Sequence, residues 1–175
     1  MRRKIILNMA VSLDGFIAGE DGSYDWIAGN GLSSLNTKQK WDQDEFLKRV
    51  DTVVMGYHCY RQAMHLDFTE QKVYIASSHG EKDYANYHFI QGDLAEFIKM
   101  EKQEEGKDIY LFGGGIAAAP LIGNNLIDEY VFGIIPIILG KGIPLFRQDN
   151  PAIPLTLKEY FVEDGICVLH YVRRA

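Results

Sequence analysis

A run of three glycines, Gly113-Gly114-Gly115, is the clearest chemical signal in this sequence. It follows the apolar segment 109–112, which predicts a strand, and precedes the helix-like segment 116–122. Backbone N–H groups at a helix start, with no Cβ atoms to obstruct them, form an anion site suited to phosphate. The alternative is a tight strand-to-helix turn that binds nothing.

The same run fits the dinucleotide fingerprint G-x-G-x-x-A, read from Gly113 to Ala118. In a Rossmann dehydrogenase, an acid about 20 residues further on, at the end of the next strand, binds the ribose. Here that strand ends at Ile135-Pro136 without an acid, which disfavours a Rossmann dehydrogenase. A phosphate-binding P-loop is excluded because no G-x-x-x-x-G-K-[ST] occurs.

Small or hydroxyl residues follow two further apolar strand-like segments. Gly56 follows segment 52–55, and Ser77-Ser78 follows segment 73–76. The carboxyl ends of parallel strands line the ligand crevice of open α/β sheets. Together with the glycine run, these ends predict a long, phosphate-bearing ligand across one sheet edge, which favours a nucleotide cofactor.

Strand-like and helix-like segments alternate along the chain, which is typical of a layered α/β fold. Asp164-Gly165 predicts a hairpin turn between two C-terminal strands. We therefore predict a single domain, residues 1–175, with a three-layer α-β-α fold and a mixed, mostly parallel sheet ending in an antiparallel hairpin. The predicted strands are 4–11, 52–55, 73–76, 87–90, 109–112, 130–135, 155–161 and 166–171. The predicted helices are 37–50, 59–64, 93–106 and 116–122, the last with Pro120 near its first turn, and 12–34 is a long loop of functional type.

The composition excludes several classes of protein. The chain is 47% hydrophobic and 24% charged, as globular proteins are, and its net charge of −6 argues against a nucleic-acid binder. No segment reaches the roughly 18 apolar residues that a membrane span needs. The two cysteines stand in unrelated contexts, and no His/Cys spacing matches a zinc site. We expect a cytoplasmic protein without a metal that acts on a small molecule.

Six segments, in this order and spacing, resemble the dihydrofolate-reductase-like family. The closer resemblance is to its riboflavin-biosynthesis branch: the reductase domain of the deaminase-reductase proteins and small stand-alone bacterial relatives. The resemblance covers nearly the whole chain. The segments are 12–18 (SLDGFIA), Trp26, 50–56 (VDTVVMG), 112–115 (FGGG), 128–130 (DEY) and 136–146 (PIILGKGIPLF).

The resemblance implies an NADPH-dependent oxidoreductase, similar to 5-amino-6-(5-phosphoribosylamino)uracil reductase. It would reduce a pteridine- or pyrimidine-like substrate by hydride transfer and form a homodimer. The substrate would lie under Asp14 and Trp26, the implied catalytic residues, and under loop 136–146. A cis Gly113–Gly114 peptide bond is also implied. The implied cofactor residues are Ala10, Ile17 and Ala18 at the nicotinamide; Gly56, Tyr57, His58, Cys59, Ser77 and Ser78 at the adenosine end; and Phe112, Gly113, Gly114, Gly115 and Ile116 at the pyrophosphate.

Two departures from the family pattern limit these expectations. The family often shows Gly-Arg-x-Thr after the second strand, with the Arg facing the 2′-phosphate, whereas this chain has Gly56-Tyr57-His58-Cys59. NADH is therefore not excluded, although His58, His79 or Lys82 could supply charge. True dihydrofolate reductases engage the pterin through a carboxylate on the first helix, and the stretch 27–31 after Trp26 offers none, so we do not expect dihydrofolate reduction.

Other interpretations stay open at this point. A non-catalytic nucleotide-binding regulatory or sensor module on the same fold would also fit the changed residues Tyr57 and Cys59. Asp14-Gly15 is a good turn dipeptide, and Trp26 could be a loop or core anchor, so both have structural readings beside the catalytic one.

Overall fold

An eight-stranded sheet passes through the middle of the computed structural model, which describes residues 2–147 and 150–174. Its strands are β1 (Ile5–Ser12), β3 (Val50–Gly56), β4 (Lys72–Ala76), β5 (Tyr87–Ile90), β6 (Asp108–Gly113), β7 (Glu129–Ile135), β9 (Leu155–Glu163) and β10 (Ile166–Arg173), with β2 (Phe16–Ala18) and β8 (Ile143–Pro144) forming a separate pair. Across the sheet they run in the order β5-β4-β3-β6-β1-β7-β10-β9. The first six in this order are mutually parallel, and β10 is antiparallel to both of its neighbours.

Within the described ranges, four α-helices cover the two faces of this sheet. They are α1 (Gln43–Lys48), α2 (Tyr57–Arg61), α3 (Leu94–Glu101) and α4 (Gly115–Gly123), with one 3₁₀ turn at Met64–Asp67. No helix in the described part of the chain is long and apolar enough to cross a bilayer. The mixed sheet between helical layers confirms the predicted fold class.

Side chains of the central strands point alternately to the two faces of the sheet, so the protein has two hydrophobic cores, one on each face. Ile5 and Leu7 of β1 pack on one face with α4, whereas Ile6 between them faces the core that contains Phe46 of α1. All three β1 side chains are fully buried. Side chains of a strand point alternately to opposite faces, and a strand covered on both faces is apolar throughout.

Three of the four helices in the described residues are shorter than the sequence predicts, and a tertiary contact explains where α1 begins. The prediction 37–50 is wrong for residues 37–42, because the Thr37 N–H donates to the Val162 carbonyl (2.9 Å) and Asp42 caps α1 by accepting from the Glu45 N–H (2.9 Å). It is also wrong for residues 49–50, because α1 ends at Lys48 and β3 begins at Val50. Asp93 caps α3 through the N–H groups of Ala95 and Glu96. That helix ends at Glu101, not near residue 106.

Two further helix predictions need correction. The predicted helix 59–64 begins earlier, at Tyr57, and ends at Arg61, because Ala63 takes a left-handed conformation with φ 61°. Pro120 is not in the first turn of α4 but well inside the helix, which begins at Gly115. The Asp164-Gly165 turn is confirmed, with φ values of 53° and 77° that suit a two-residue hairpin.

The long loop after β2 is fastened across the structure at two places. Near its start, the Gln62 side-chain amide donates to the Gly22 carbonyl (3.1 Å), which holds the loop against the end of α2. Further along, the Asn30 N–H donates to the Asp164 carbonyl (2.9 Å) at the tip of the β9–β10 hairpin. The loop therefore bridges α2 and the hairpin.

A buried carboxylate holds the amino-terminal edge of the sheet together. Glu129, 4% exposed, accepts from Lys4 (2.6 Å), Arg49 (3.3 Å) and the His170 imidazole (3.0 Å). Burial alone would raise the pKa of Glu129, but the His170 hydrogen bond and the two cations lower it to about 2. The ionised form is thus favoured in the folded protein.

We predict that Glu129 contributes strongly to acid sensitivity. Because its folded pKa lies below its ordinary value of 4.5, its stabilisation is present above that value and is lost as the pH falls toward about 2. In urea unfolding, Glu129→Gln should cost about 3 kcal/mol at neutral pH and flatten the loss of stability in acid. The exposed control Glu70→Gln should behave like the wild type. Parallel acid profiles for wild type and Glu129→Gln would contradict this role.

Candidate functional site

The three strand ends singled out in the sequence meet at one edge of the sheet. β3 lies between β4 and β6 and is parallel to both. Gly56, Ser77 and Gly113 therefore lie at the carboxyl ends of three neighbouring strands that point the same way. Neighbouring strands lie about 4.8 Å apart, which places the three ends within the length of one extended ligand. The predicted crevice edge is therefore present.

The glycine run forms an open anion cradle. Gly113 and Gly114 have φ values of 149° and 82°, which side chains rarely adopt. A bulge in β6 precedes them, because the β3–β6 pairing steps from Val54–Leu111 to Met55–Gly113. Gly114 is the N-cap of α4 and offers no side-chain acceptor to the helix. The first N–H groups of a helix lack intrahelical partners, so they are left to bind an anion.

Small residues around this cradle allow the neighbouring backbone segments to approach each other closely. An added Cβ at Gly114 would lie 3.8 Å from the Cys59 sulfur and 3.8 Å from the Gly56 backbone, which puts the ends of β3 and β6 side by side. Ile116, the second residue of α4, is 88% exposed beside the cradle. The residues present thus fit a pyrophosphate group, which needs close backbone approach.

The Gly113–Gly114 peptide bond is trans, so the expectation of a cis bond is wrong. The chain turns here through the positive φ angles of both glycines instead. The turn still brings Gly114 against Gly56 and starts α4 at Gly115, which is the geometry on which the anion cradle rests.

The small β2–β8 sheet lies over the beginning of α4. An added Cβ on Gly115 would come 3.1 Å from the Pro144 carbonyl oxygen and 3.7 Å from the Ile17 Cδ1 atom. Ala18 pairs with Ile143 in this sheet, while Ala10 pairs with Gly133 in the main sheet. Ile17 is therefore brought to the anion cradle. Ala10 and Ala18 are half-buried in two different sheets.

Asp14 fastens the loop that follows β7. Its carboxylate accepts from the Ser12 hydroxyl (2.7 Å), the Leu139 N–H (3.1 Å) and the Gly140 N–H (2.8 Å). The Ser12 hydrogen bond, joined by those two backbone donors, holds the pKa of the Asp14 carboxyl below its ordinary value. Three accepted hydrogen bonds occupy both oxygens, so the structure gives Asp14 a positioning role toward loop 136–146.

Trp26 and His58 are turned toward the long loop. The Trp26 indole N–H donates to the Ser23 carbonyl (3.2 Å) within that loop. His58 projects toward Gly22, where an added Cβ would come 2.5 Å from its Nε2 atom. Both side chains therefore have structural partners, and neither is brought to the glycine cradle by these contacts.

Cys59 and Phe112 are largely packed into the core under α1 and α2. Burial raises the pKa of the Cys59 thiol, which keeps it protonated at neutral pH. Phe112 makes an edge-to-face contact with Phe68, with ring centroids 5.2 Å apart. These two residues shape the floor of the site from below.

Tyr57 and Ser77 organise the ends of β3 and β4 around an acid that the sequence reasoning missed. The Ser77 hydroxyl donates to Glu81 Oε2 (2.9 Å), and the Glu81 carboxylate raises the pKa of the nearby Tyr57 hydroxyl. The Tyr57 ring stacks on the His79 imidazole, with centroids 4.4 Å apart. Ser78 beside them is exposed. Glu81 lies in an irregular loop, so no periodic pattern marked it; its spacing of four residues from Ser77 was the available signal.

A basic depression of about 350 Å³ lies at the opposite edge of the sheet. Two of its arginines already have carboxylate partners: Arg3 pairs with Asp51 (2.5 Å), and Arg49 pairs with Asp108 (3.1 Å). The lining residues are Arg2, Arg3, Lys48, Arg49, Gly106, Lys107 and Asp108.

The sequence matches the RibD C-terminal domain family over residues 3–73 and 62–167. The chain belongs to this family. It is similar to two uncharacterized Bacillus subtilis proteins. YwjB is 34% identical over 182 residues, 99% of each chain, and YyaP is 29% identical over 172 residues, 89% of this chain and 87% of the relative.

Solved structures share the fold of this RibD C-terminal domain. A Shewanella sp. PV-4 protein provisionally assigned to riboflavin biosynthesis superposes with a TM-score of 0.78 at 24% identity, over 98% of this chain and 99% of its own. A Thermotoga maritima diaminohydroxyphosphoribosylaminopyrimidine deaminase/5-amino-6-(5-phosphoribosylamino)uracil reductase gives 0.72 at 13% identity, over 99% of this chain and 57% of its own. Enterococcus faecalis dihydrofolate reductase, complexed with NADP(H), gives 0.68 at 13% identity, over 100% and 99%. The resemblance found in the sequence and the dihydrofolate-reductase-like fold are confirmed, and a reductase-type function is supported.

We predict that Asp14 positions loop 136–146 in this RibD C-terminal domain. Asp14→Asn weakens the acceptor of the Leu139 and Gly140 N–H groups, so both amides should exchange hydrogen faster while nucleotide affinity stays nearly unchanged. Hydrogen-exchange mass spectrometry of the loop peptide measures this. The control Asp21→Asn removes another exposed loop carboxylate, which accepts from Ser23, and should leave that peptide unchanged. Equal exchange in wild type and Asp14→Asn would rule the role out.

Proposed function

We propose that this RibD C-terminal domain is a reductase that transfers a hydride from a reduced nicotinamide dinucleotide to a pyrimidine- or pteridine-like ring. The observation that carries the proposal is the side-chain-free cradle at Gly113 and Gly114, set at the start of α4 and beside the end of β3. Such a cradle binds a pyrophosphate through backbone N–H groups and the helix dipole.

The chain's own residues would position the two reactants. The N–H groups at the start of α4 would hold the pyrophosphate, and Ile17 beside Gly115 would provide an apolar wall for the nicotinamide end. Loop 136–146, fastened by Asp14, would cover the ring substrate. When bound, the dinucleotide supplies the hydride, so catalysis would consist mainly of holding two flat rings in contact and excluding water.

Asp14 is a poor candidate for the proton donor in such a reaction. Its lowered pKa keeps the carboxylate ionised at neutral pH, and its oxygens accept hydrogen bonds from the protein itself. We therefore propose that the proton reaches the substrate from solvent. Trp26, held within its loop, would act on the substrate only through that loop.

The proposed substrate class follows from the structural neighbours. The Thermotoga maritima neighbour is described as a 5-amino-6-(5-phosphoribosylamino)uracil reductase, and a Corynebacterium diphtheriae neighbour with a TM-score of 0.67 as pyrimidine reductase-like. The second candidate, a regulatory nucleotide-binding module, keeps the same cradle but transfers no hydride. Tyr57 and Cys59, in place of the family's Arg and Thr, are the residues that favour it.

Turnover separates these two functions. With 5-amino-6-(5-phosphoribosylamino)uracil or a related aminopyrimidine as acceptor, the absorbance of the reduced nicotinamide should fall steadily at a rate proportional to enzyme. Dihydrofolate should give no such decay, because the stretch 27–31 after Trp26 has no carboxylate to engage a pterin. Dinucleotide binding without turnover on any ring acceptor would favour the regulatory module, and steady turnover of dihydrofolate would contradict the proposed specificity.

A side chain at Gly114 should abolish dinucleotide binding. The fold has room for one, since an added Cβ meets nothing closer than 3.8 Å, but the φ of 82° costs Gly114→Val about 1–2 kcal/mol. The valine methyl groups would fill the cradle, so we expect at least a tenfold loss of affinity in a protein that still unfolds cooperatively. Calorimetric titration with NADH and NADPH measures this.

The control for backbone strain is Gly31→Ala. Gly31 has a similar φ of 76° and nothing within 4 Å of an added Cβ, so this variant should lose a comparable stability and keep its affinity. A folded Gly114→Val protein with wild-type affinity would remove the glycine cradle from the cofactor site.

The homodimer stays a proposal. The apolar stretch after residue 130 offers a dimer little surface, because Val131, Phe132 and Ile135 are buried in this chain's own core. Exposed apolar side chains remain at Leu157 and Tyr160 of the edge strand β9, and these favour a second copy.

A further inference from the structure

Glu81 bridges the ends of two parallel strands at the far side of the candidate site. Its carboxylate accepts from Ser77, directly after β4 (2.9 Å), and it raises the pKa of the nearby Tyr57 hydroxyl, directly after β3. Ser77 is 8% exposed and also accepts from the His79 N–H (3.0 Å), so the turn that carries Glu81 is fixed at its base. The acid is thus held in place by the sheet.

The position of Glu81 relative to the glycine cradle gives it a function. Gly56 touches the cradle, and Tyr57 follows Gly56 along the chain. A dinucleotide whose pyrophosphate lies at Gly114 and whose other end continues across β3 and β4 would set its adenosine ribose beside Glu81. The stacked rings of Tyr57 and His79 would offer a flat surface to the adenine next to it.

A carboxylate at this place discriminates between the two nicotinamide dinucleotides. It accepts hydrogen bonds from a free ribose 2′-hydroxyl, whereas a 2′-phosphate would bring a second anion against it. Resting on the proposed function, we propose that Glu81 is the residue that selects the cofactor and that this protein prefers NADH to NADPH. The preference differs from the NADPH that the family resemblance implies.

Basic side chains around Glu81 are the groups that could instead hold a phosphate. His79 stacks on the Tyr57 ring, and His58 points to Gly22. Arg61 and Lys82 are exposed, and Lys82 is adjacent to Glu81. The group that lies between the two strand ends is the acid, which accepts from Ser77 and lies near Tyr57.

Binding measurements test the preference without any turnover. Calorimetric titrations of the full chain with NADH and with NADPH should give the wild type an affinity for NADH at least tenfold higher. Glu81→Gln keeps a side chain of the same shape but removes the charge, so NADPH affinity should rise about tenfold, while NADH affinity falls by a smaller factor. The same titrations with the oxidised cofactors should repeat this order.

Glu104→Gln is the matched control. This acid is exposed in the turn between α3 and β6, at the opposite edge of the sheet, and its loss changes the net charge equally. It should leave both affinities at the wild-type values. A similar gain in NADPH affinity for Glu104→Gln would assign the effect to net charge and overturn the role of Glu81.

The outcomes distinguish this inference from the function on which it rests. Tighter binding of NADPH by the wild type, or an unchanged NADPH affinity in Glu81→Gln, would overturn the inference and leave a nicotinamide-dependent reductase in place. Binding of neither dinucleotide by the wild type would overturn both. Preferred binding of NADH without hydride transfer would support Glu81 and overturn the reductase.

Discussion

Parallel pairing of six strands is the constraint on which the rest of the molecule depends. Because β5, β4, β3, β6, β1 and β7 all point the same way, every one of their carboxyl ends opens on one edge. Buried apolar side chains on both faces of β1 hold that arrangement. No further contact between distant residues is needed to bring the candidate binding residues together, because a glycine or a serine at the end of a strand already lies at this edge.

The sequence predicts this edge well, for a physical reason. Apolar segments with turn residues after them mark the strands, and the rule for parallel sheets converts three strand ends into one site. Gly56, Ser77 and Gly114 were found in this way. The helices were predicted less well, since contacts between distant residues, such as Thr37 with Val162, decide where α1 begins.

Side chains that act through loops are the part of the site that the sequence does not reveal. Glu81 follows no strand or helix pattern, and its place beside Ser77 and Tyr57 appears only in the structure. Asp14 was recognised, but its partners, the Leu139 and Gly140 N–H groups, lie 125 and 126 residues away in the chain. No local spacing predicts such a pair.

The site therefore divides into a part made of backbone and a part made of side chains, and the two can change independently. The cradle at Gly113 and Gly114 depends on φ angles that only glycine adopts easily, so substitution there removes the geometry itself. The proposed adenosine end depends on which side chains follow β3 and β4, where the chain has Tyr57 and Glu81. In the proposed site, an exchange of charge at that end would alter which anion is tolerated without disturbing the pyrophosphate site. The fold could thus keep one way of holding a dinucleotide while a loop of a few residues sets the preference for a particular dinucleotide.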